Sequence, residues 1–455
     1  MSALLKIVVV FVAMLVGIRY RLGVAWSILI GSVLLVLLFG HGPLFWVTNS
    51  TAALQDPKLL FLGAIVGLIL LLSGLMEHTG QAGRFMEALA GRLRGPRLAL
   101  IFFPSLIGLL PMPGGAIFSA PMLKEMAGRV WRGRPLTGED LALINYWFRH
   151  VWEMAWPLYP GVILAAALAH ISVFKLIAWC FPGMFVCFVL GWVFVLRPLF
   201  AAVKASEPTE TALGVRTEAT PDLASPESAP AKTDAAPRVG LGRLLWEGLP
   251  LVAAIVGAVG LEVVTTTLMP EITSEWGVLL ALFLAALIAA LQNRVPPREV
   301  LRQLFSRHLL NMLFLVVAVF MFKEALGRSG AVEGLADLVG GEGGGEIGLL
   351  GVAVVLPLVM GLIAGITVAY VGAAFPLLLG LVAQLGQDSN LMAYMMLGMY
   401  SGFAGVLASP LHLCFVLTCQ YYQVDAAPVW RRLIWPAVLF QAFGMLYFVA
   451  LRWFV

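Results

Sequence analysis

Leu110-Pro111-Met112-Pro113-Gly114-Gly115-Ala116 cuts into an otherwise apolar stretch of chain, and the reading of those seven residues decides the fold. Two prolines and two glycines in mid-stretch cannot continue one helix, so two short helices joined by unwound backbone are expected. A second apolar stretch carries Gly361, Gly365 and Gly372 between Pro357 and Pro376. Both stretches, at about 98–123 and 347–383, are expected to be re-entrant hairpins.

Around them lies a membrane protein. Of 455 residues, 61% are hydrophobic and 12% charged; soluble domains carry about 25% charged residues. The mean hydropathy is +0.95, and a water-soluble core could not hide that much apolar surface. Ten further apolar runs reach spanning length, at about 3–18, 23–40, 58–77, 141–170, 172–197, 243–268, 276–292, 309–327, 391–420 and 432–452. The N-terminal run has no small-residue cleavage site and is read as the first span rather than a signal peptide. The net charge of +4 is too small to argue for nucleic acid.

Residues 203–240 differ in kind. The run Thr217–Arg238 (TEATPDLASPESAPAKTDAAPR) has little to bury and reads as a disordered linker that divides the chain into 1–202 and 241–455. Basic residues gather at Arg19/Arg21, Arg84–Arg97, Lys124–Arg134, Arg197/Lys204, Arg238/Arg243, Arg294–Arg307 and Arg431/Arg432. The intervening loops are poor in Lys and Arg, and one carries Glu333, Asp337, Glu342 and Glu346. With ten spans and two re-entrant hairpins, every basic cluster and the linker fall in the cytoplasm of a bacterial or archaeal cell, and both termini face outward.

The halves resemble each other. Leu75-Met76-Glu77-His78-Thr79-Gly80 parallels Ala325-Leu326-Gly327-Arg328-Ser329-Gly330, Gly108 to Leu123 parallels Gly361 to Leu378, and Trp156-Pro157-Leu158 parallels Ser409-Pro410-Leu411. Each half then has five full spans and a hairpin, with broken helices at about 141–170 and 391–420. Five is odd, so the second copy is expected to be inverted, an arrangement that sets a binding site near the bilayer midplane.

On Leu110–Ala116 with Ser119-Ala120-Pro121, and on Ala408-Ser409-Pro410-Leu411-His412-Leu413, the chain resembles the uncharacterised ten-span prokaryotic membrane family known as domain of unknown function 401. That family looks like a branch of the ion transporter superfamily, which includes gluconate, citrate and dicarboxylate permeases. The resemblance implies an elevator-type transporter with scaffold and transport domains, usually a homodimer. The dicarboxylate carriers of that superfamily have Ser-Asn-Thr at the hairpin tips; here the tips read Pro113-Gly114-Gly115-Ala116 and Gly365-Ile366-Thr367-Val368, so their substrate and sodium assignments do not carry over.

The first tip is the strongest candidate site. Gly114 and Gly115 admit a ligand close to the backbone, the half-helix after them points its N-terminus into the membrane, and Ser119 adds a hydroxyl. A plain helix kink is the structural alternative. The second tip offers Gly365, Thr367 and Tyr370, unless its glycines serve only helix packing. The first broken helix carries Asn145, Arg149, His150 and Glu153 ahead of Trp156-Pro157-Leu158-Tyr159-Pro160. Arg149 suits an anionic substrate, and Glu153 or His150 suits a proton; a self-neutralising Arg149–Glu153 pair one helical turn apart is the alternative. Ser409 and His412 flank the second break, His412 as ligand, proton group or simply a buried hydrogen-bonded ring. The four cysteines read as packing residues. Sodium at the tips is the one bound ion considered, and no other cofactor is expected.

The expected function is secondary transport of a small organic anion, a carboxylate, coupled to sodium or protons. A cation/proton antiporter and a non-transporting scaffold or receptor subunit are the alternatives. No nucleophile–base pair or metal-ligand cluster at helical spacing argues for an enzyme.

Overall fold

The computed structural model describes residues 2–90, 96–109, 115–130, 136–200, 240–268, 274–340 and 345–454. The linker, apart from residue 240, and Leu110–Gly114 with Pro113 lie outside the described residues. Among the described residues, twenty α-helices divide equally between the halves. The first ten are α1 (Ala3–Arg19), α2 (Val24–Leu38), α3 (Pro43–Leu54), α4 (Pro57–His78), α5 (Gln81–Ala90), α6 (Pro96–Gly108), α7 (Ala116–Val130), α8 (Gly138–Arg149), α9 (Pro160–Leu168) and α10 (Val173–Leu190, continued by a π-helical turn at Gly191–Leu196). The second ten are α11 (Leu241–Leu268), α12 (Ser274–Gln292), α13 (Pro297–Leu304), α14 (Arg307–Arg328), α15 (Ala331–Val339), α16 (Gly345–Ala364), α17 (Thr367–Gln384), α18 (Leu391–Leu407), α19 (Leu413–Tyr422) and α20 (Ala426–Phe454).

Local signals recur between the halves. Asp56 caps α4 by accepting from the Lys58 amide, and Ser306 caps α14 by accepting from the Leu309 amide. Gly80 and Gly330, at φ 70° and 76°, make the left-handed turns into α5 and α15, a conformation that costs glycine little. Helix starts recur 250 residues on from Val24 to Ser274, Pro57 to Arg307 and Gln81 to Ala331. The interval is 253 from Gly138 to Leu391, Pro160 to Leu413 and Val173 to Ala426.

Packing between the halves follows the same rule with partners exchanged. Helix α4 packs on α12 as α14 packs on α2, and α5 on α11 as α15 on α1. Likewise α7 packs on α19 as α17 on α9, and α8 on α20 as α18 on α10. All these exchanges keep the first five helices of each half together and the last five together, so the helices fall into two groups. The groups meet through α14 and α15 on α17, α1 on α16 and α4 on α9.

Among the described residues, eight helices are long and apolar enough to cross a membrane. Thr367–Gln384 is central, with 78% of its apolar window buried, whereas Leu241–Thr265 buries 28% and turns its apolar side outward. Three expectations need correction. The second hairpin breaks only at Gly365 and Ile366, with Pro357 and Pro376 inside its helices; Gly361 and Gly372 serve close packing instead. Its arms run to 20 and 18 residues, longer than the two short helices expected. Conversely, α1 and α2, at 17 and 15 residues, fall short of the about 20 residues that a perpendicular span needs.

The closest backbone approaches are also duplicated. A Cβ on Gly108 would drive into the carbonyl oxygen of Arg149, and a Cβ on Gly361 into that of Gly402. These pairs lie on α6–α8 and α16–α18. Gly361→Ala is therefore expected to destabilise by about 1–3 kcal/mol through overpacking. Gly351→Ala, on the same helix with open space at its Cβ, should be neutral or stabilise by up to about 1 kcal/mol. Thermal unfolding in detergent measures the difference.

Candidate functional site

Four interruptions of helix meet at one buried place: between α6 and α7, α8 and α9, α16 and α17, and α18 and α19. A helix that stops leaves its last carbonyls without amide partners, and inside a bilayer each one left bare costs several kcal/mol. Side chains cover them here. Tyr146 donates its hydroxyl to the carbonyls of Val406 and Leu407 at 3.1 and 3.2 Å, across the halves, while the Trp430 indole donates to Ala408 at 2.8 Å. Tyr159 donates to Gly108 at 2.6 Å, at the end of α6. At the end of α16, the Ser409 hydroxyl donates to Leu362 at 2.6 Å and His412 Nδ1 bonds the Gly365 carbonyl.

The first broken helix ends earlier than the prolines suggest. Helix α8 stops at Arg149 with His150 as its C-cap, and α9 starts on Pro160, a first-turn position that tolerates proline. Arg149 and Glu153 thus do not share a helical turn, and the alternative of an i,i+4 pair gives way to separate settings. The Arg149 guanidinium lies against the backbone of Gly115, where a Cβ would sit 2.6 Å from Nη1. Glu153 accepts the Thr367 hydroxyl from the second tip. Both are buried, at 3% and 7% exposure.

Asn145 donates to the Ala116 carbonyl at 3.2 Å and the Thr418 hydroxyl at 3.1 Å, which joins the first hairpin to α19. Its Oδ1 has no hydrogen-bond partner among the described residues, and neither do the indole nitrogens of Trp152 and Trp156. Gly365, at φ +64°, has no room for a side chain: a Cβ would lie 2.9 Å from His412 Cα and 3.1 Å from Ser409 Oγ.

His150 and His412 face each other with Nε2 atoms 2.9 Å apart and ring planes 84° apart. With Cys414 Sγ they form a trio whose donor atoms lie within 4.8 Å. Two zinc–nitrogen bonds of about 2.0–2.1 Å at a tetrahedral angle would hold the nitrogens about 3.4 Å apart. The observed spacing is that of a hydrogen bond, so the trio is not arranged as a zinc ligand set.

Of the residues expected from sequence, Gly115, Ala116, Asn145, Arg149, His150, Glu153, Gly365, Thr367, Ser409 and His412 do come together. Pro113 and Gly114 lie outside the described residues. Ser119 and Tyr370 turn away: Ser119 is within bonding reach of the Gly115 and Ala116 carbonyls of its own turn, and Tyr370 donates to Met399 while packing on Gly402. Tyr146, Tyr159, Cys414 and Thr418 belong to the site and were missed. The one available signal was that His412 stands 253 residues beyond Tyr159.

A cavity lies between the two helix groups and reaches the first break. Ile65 and Ile69 of α4, Ala254 of α11 and Leu282 of α12 line one side, with Pro157 and Leu158 opposite. Lys58, His170, Glu262 and Glu275 also line it. Lys58 bonds His170, and Ser172 donates to Glu262 at 2.6 Å. Burial, then the Lys58 cation, holds the His170 pKa below the usual imidazole range.

An all-helical apolar chain with eight helices of spanning length is a multi-pass membrane protein. Residues 1–209 and 261–451 match the family described as protein of unknown function (DUF401), and the chain belongs to that family. No curated protein matches it.

Thr367→Val would leave the buried Glu153 carboxylate without that donor and should cost about 1–3 kcal/mol. Ser119→Ala, which removes only bonds within its own turn, should change stability by less than about 0.5 kcal/mol. Thermal unfolding of both variants in one detergent checks the contrast.

Proposed function

We propose that the chain is a secondary active transporter that moves a small organic anion, a carboxylate, across the cytoplasmic membrane. The observation that carries this is the convergence of four helix interruptions, drawn from both halves, on buried Arg149, His150, Glu153 and His412. Buried charges in a bilayer cost about 2.5–3.5 kcal/mol each on insertion scales and mark ion and substrate paths. Arg149 beside the start of α7 combines a guanidinium with a helix N-terminus, both of which favour an anion.

The exchanged packing supports inverted repeats, and the two helix groups support an elevator: α1–α5 with α11–α15 as scaffold, α6–α10 with α16–α20 as the moving part. The cavity between the groups, apolar apart from Lys58, His170, Ser172, Glu262 and Glu275, suits sliding without exposing bare backbone. In this mechanism the broken segments travel with the site, because their satisfying side chains belong to the same group. Both termini face outward, the linker is cytoplasmic, and the chain pairs as a homodimer. A sodium or proton gradient supplies the energy. A cation/proton antiporter would use Glu153 and have no need of Arg149.

Two measurements test the proposal. A small carboxylate should raise the melting temperature of the purified protein, by an amount set by RT ln(1 + [L]/Kd), and Arg149→Gln should abolish the shift. Stabilisation by sodium alone, unchanged in Arg149→Gln, would favour the antiporter. In proteoliposomes, Leu158→Cys should react with an impermeant maleimide added from either side; reaction from one side only under all gradients would contradict a carrier.

A further inference from the structure

The two buried histidines are wired so that each has one nitrogen committed. His150 Nδ1 lies 2.6 Å from the Tyr146 carbonyl and His412 Nδ1 bonds the Gly365 carbonyl. A carbonyl only accepts, so both Nδ1 atoms carry hydrogen. That leaves two Nε2 atoms at 2.9 Å. If both rings were neutral, two lone pairs would confront each other at hydrogen-bond distance in a buried site, where the Cys414 thiol has a single hydrogen to offer them. One proton between them turns that repulsion into an N–H···N bond, with a single positive charge on the pair.

The surroundings suit that charge. His150 caps the C-terminal end of α8, and His412 bonds the last turn of α16; helix C-termini carry partial negative charge. The titratable and charged groups about the pair are Tyr146, whose ring lies 4.8 and 5.5 Å from the two imidazoles, the Cys414 thiol, the Glu153 carboxylate, Arg149 and Tyr159. Arg149 is directed to the first tip and Glu153 to Thr367 of the second.

Comparison of the halves shows what the pair adds. Tyr159 donates to Gly108 at the end of α6, and His412, 253 residues further on, donates to Gly365 near the end of α16. Both are latches between a broken helix and a hairpin arm. The first half uses a phenol, which keeps its hydrogen at any physiological pH; the second uses an imidazole, which titrates.

We propose that His150 and His412 bind one shared proton across the two halves, and that this proton is the coupling ion of the transporter. With it bound, the second tip and both broken helices form one body. When it leaves, the facing lone pairs separate, His412 loosens from Gly365, and the tip is freed. This rests on the transporter reading and names its driving ion.

The experiment follows labelling of Leu158→Cys with an impermeant maleimide in phosphatidylethanolamine/phosphatidylglycerol proteoliposomes, from each side, between about pH 5 and pH 8, where histidine titrates. Peptide mass spectrometry reads position 158 alone, so Cys414 is retained. The ratio of labelling from the two sides cancels the titration of the thiol itself. That ratio should change several-fold with pH in the parent protein. It should become flat in His412→Tyr, which restores the first half's latch without a titrating group, and in His150→Gln. A two-sided but pH-independent ratio in the parent, or a pH response that survives in both variants, overturns the proposal and leaves the transporter standing. One-sided labelling at every pH overturns the transporter and the coupling role together. Spectra of 15N-histidine protein in nanodiscs test the proton directly: both Nδ1 atoms protonated and one proton for the two Nε2 atoms is expected. An Nδ1 without its proton, or metal-ligand shifts abolished by a chelator, would refute it.

Discussion

The structure depends on a single constraint: backbone that leaves the helix inside an apolar medium must find hydrogen-bond partners within the protein. Four helices stop within the core, and their terminal carbonyls are taken by Tyr146, His150, Tyr159, Ser409, His412 and Trp430. The Tyr146 bonds run from one half of the chain to the other, and the His150–His412 contact and the Thr367–Glu153 bond do the same. The second half thus relies on Tyr146 of the first to close its break after α18. The same contacts that permit the breaks therefore weld the halves into a single buried polar centre.

Steric features follow from that closure. Gly108 and Gly361 let the hairpin arms ride on the carbonyls of the broken helices, Gly115 makes room for a guanidinium, and Gly365 takes a left-handed turn between two residues of the opposite break. Each glycine is where backbone must touch backbone or a charged group. Charge is distributed with equal economy: Arg149 stands at a helix N-terminus that suits an anion, and the histidine pair stands among helix C-termini that suit a cation. The two settings thus lie side by side but on opposite dipole ends.

Much of this was legible in the residues. The glycines at 115 and 365 stand at real interruptions, and the resemblance between Leu75–Gly80 and Ala325–Gly330 foretells two turns with the same backbone geometry. Arg149, His150, Glu153 and His412 stand out because charged or titratable groups are rare in apolar runs. What could not be read were contacts between residues far apart in the chain, 51 positions for Tyr159 and Gly108 and 260 for Tyr146 and Val406. Tyr146 and Tyr159 resemble ordinary core tyrosines until the carbonyls they serve are known. Pro157 looks like the centre of the break, yet the chain leaves the helix at His150, because Pro160 fits the first turn of the next helix. Cysteine at 414 was read as packing, and only its place beside both imidazoles sets it apart from Cys180, Cys187 and Cys419.

Cryo-electron microscopy of the full chain in lipid nanodiscs tests the central claim most directly, because it adds the bilayer. Gly115, His150, Gly365 and His412 should lie together near the middle of the hydrocarbon, shielded from lipid, with water or solute density beside Arg149. A map in which either hairpin tip sits at headgroup level, or in which lipid chains press on unwound backbone between residues 150 and 159, would contradict it.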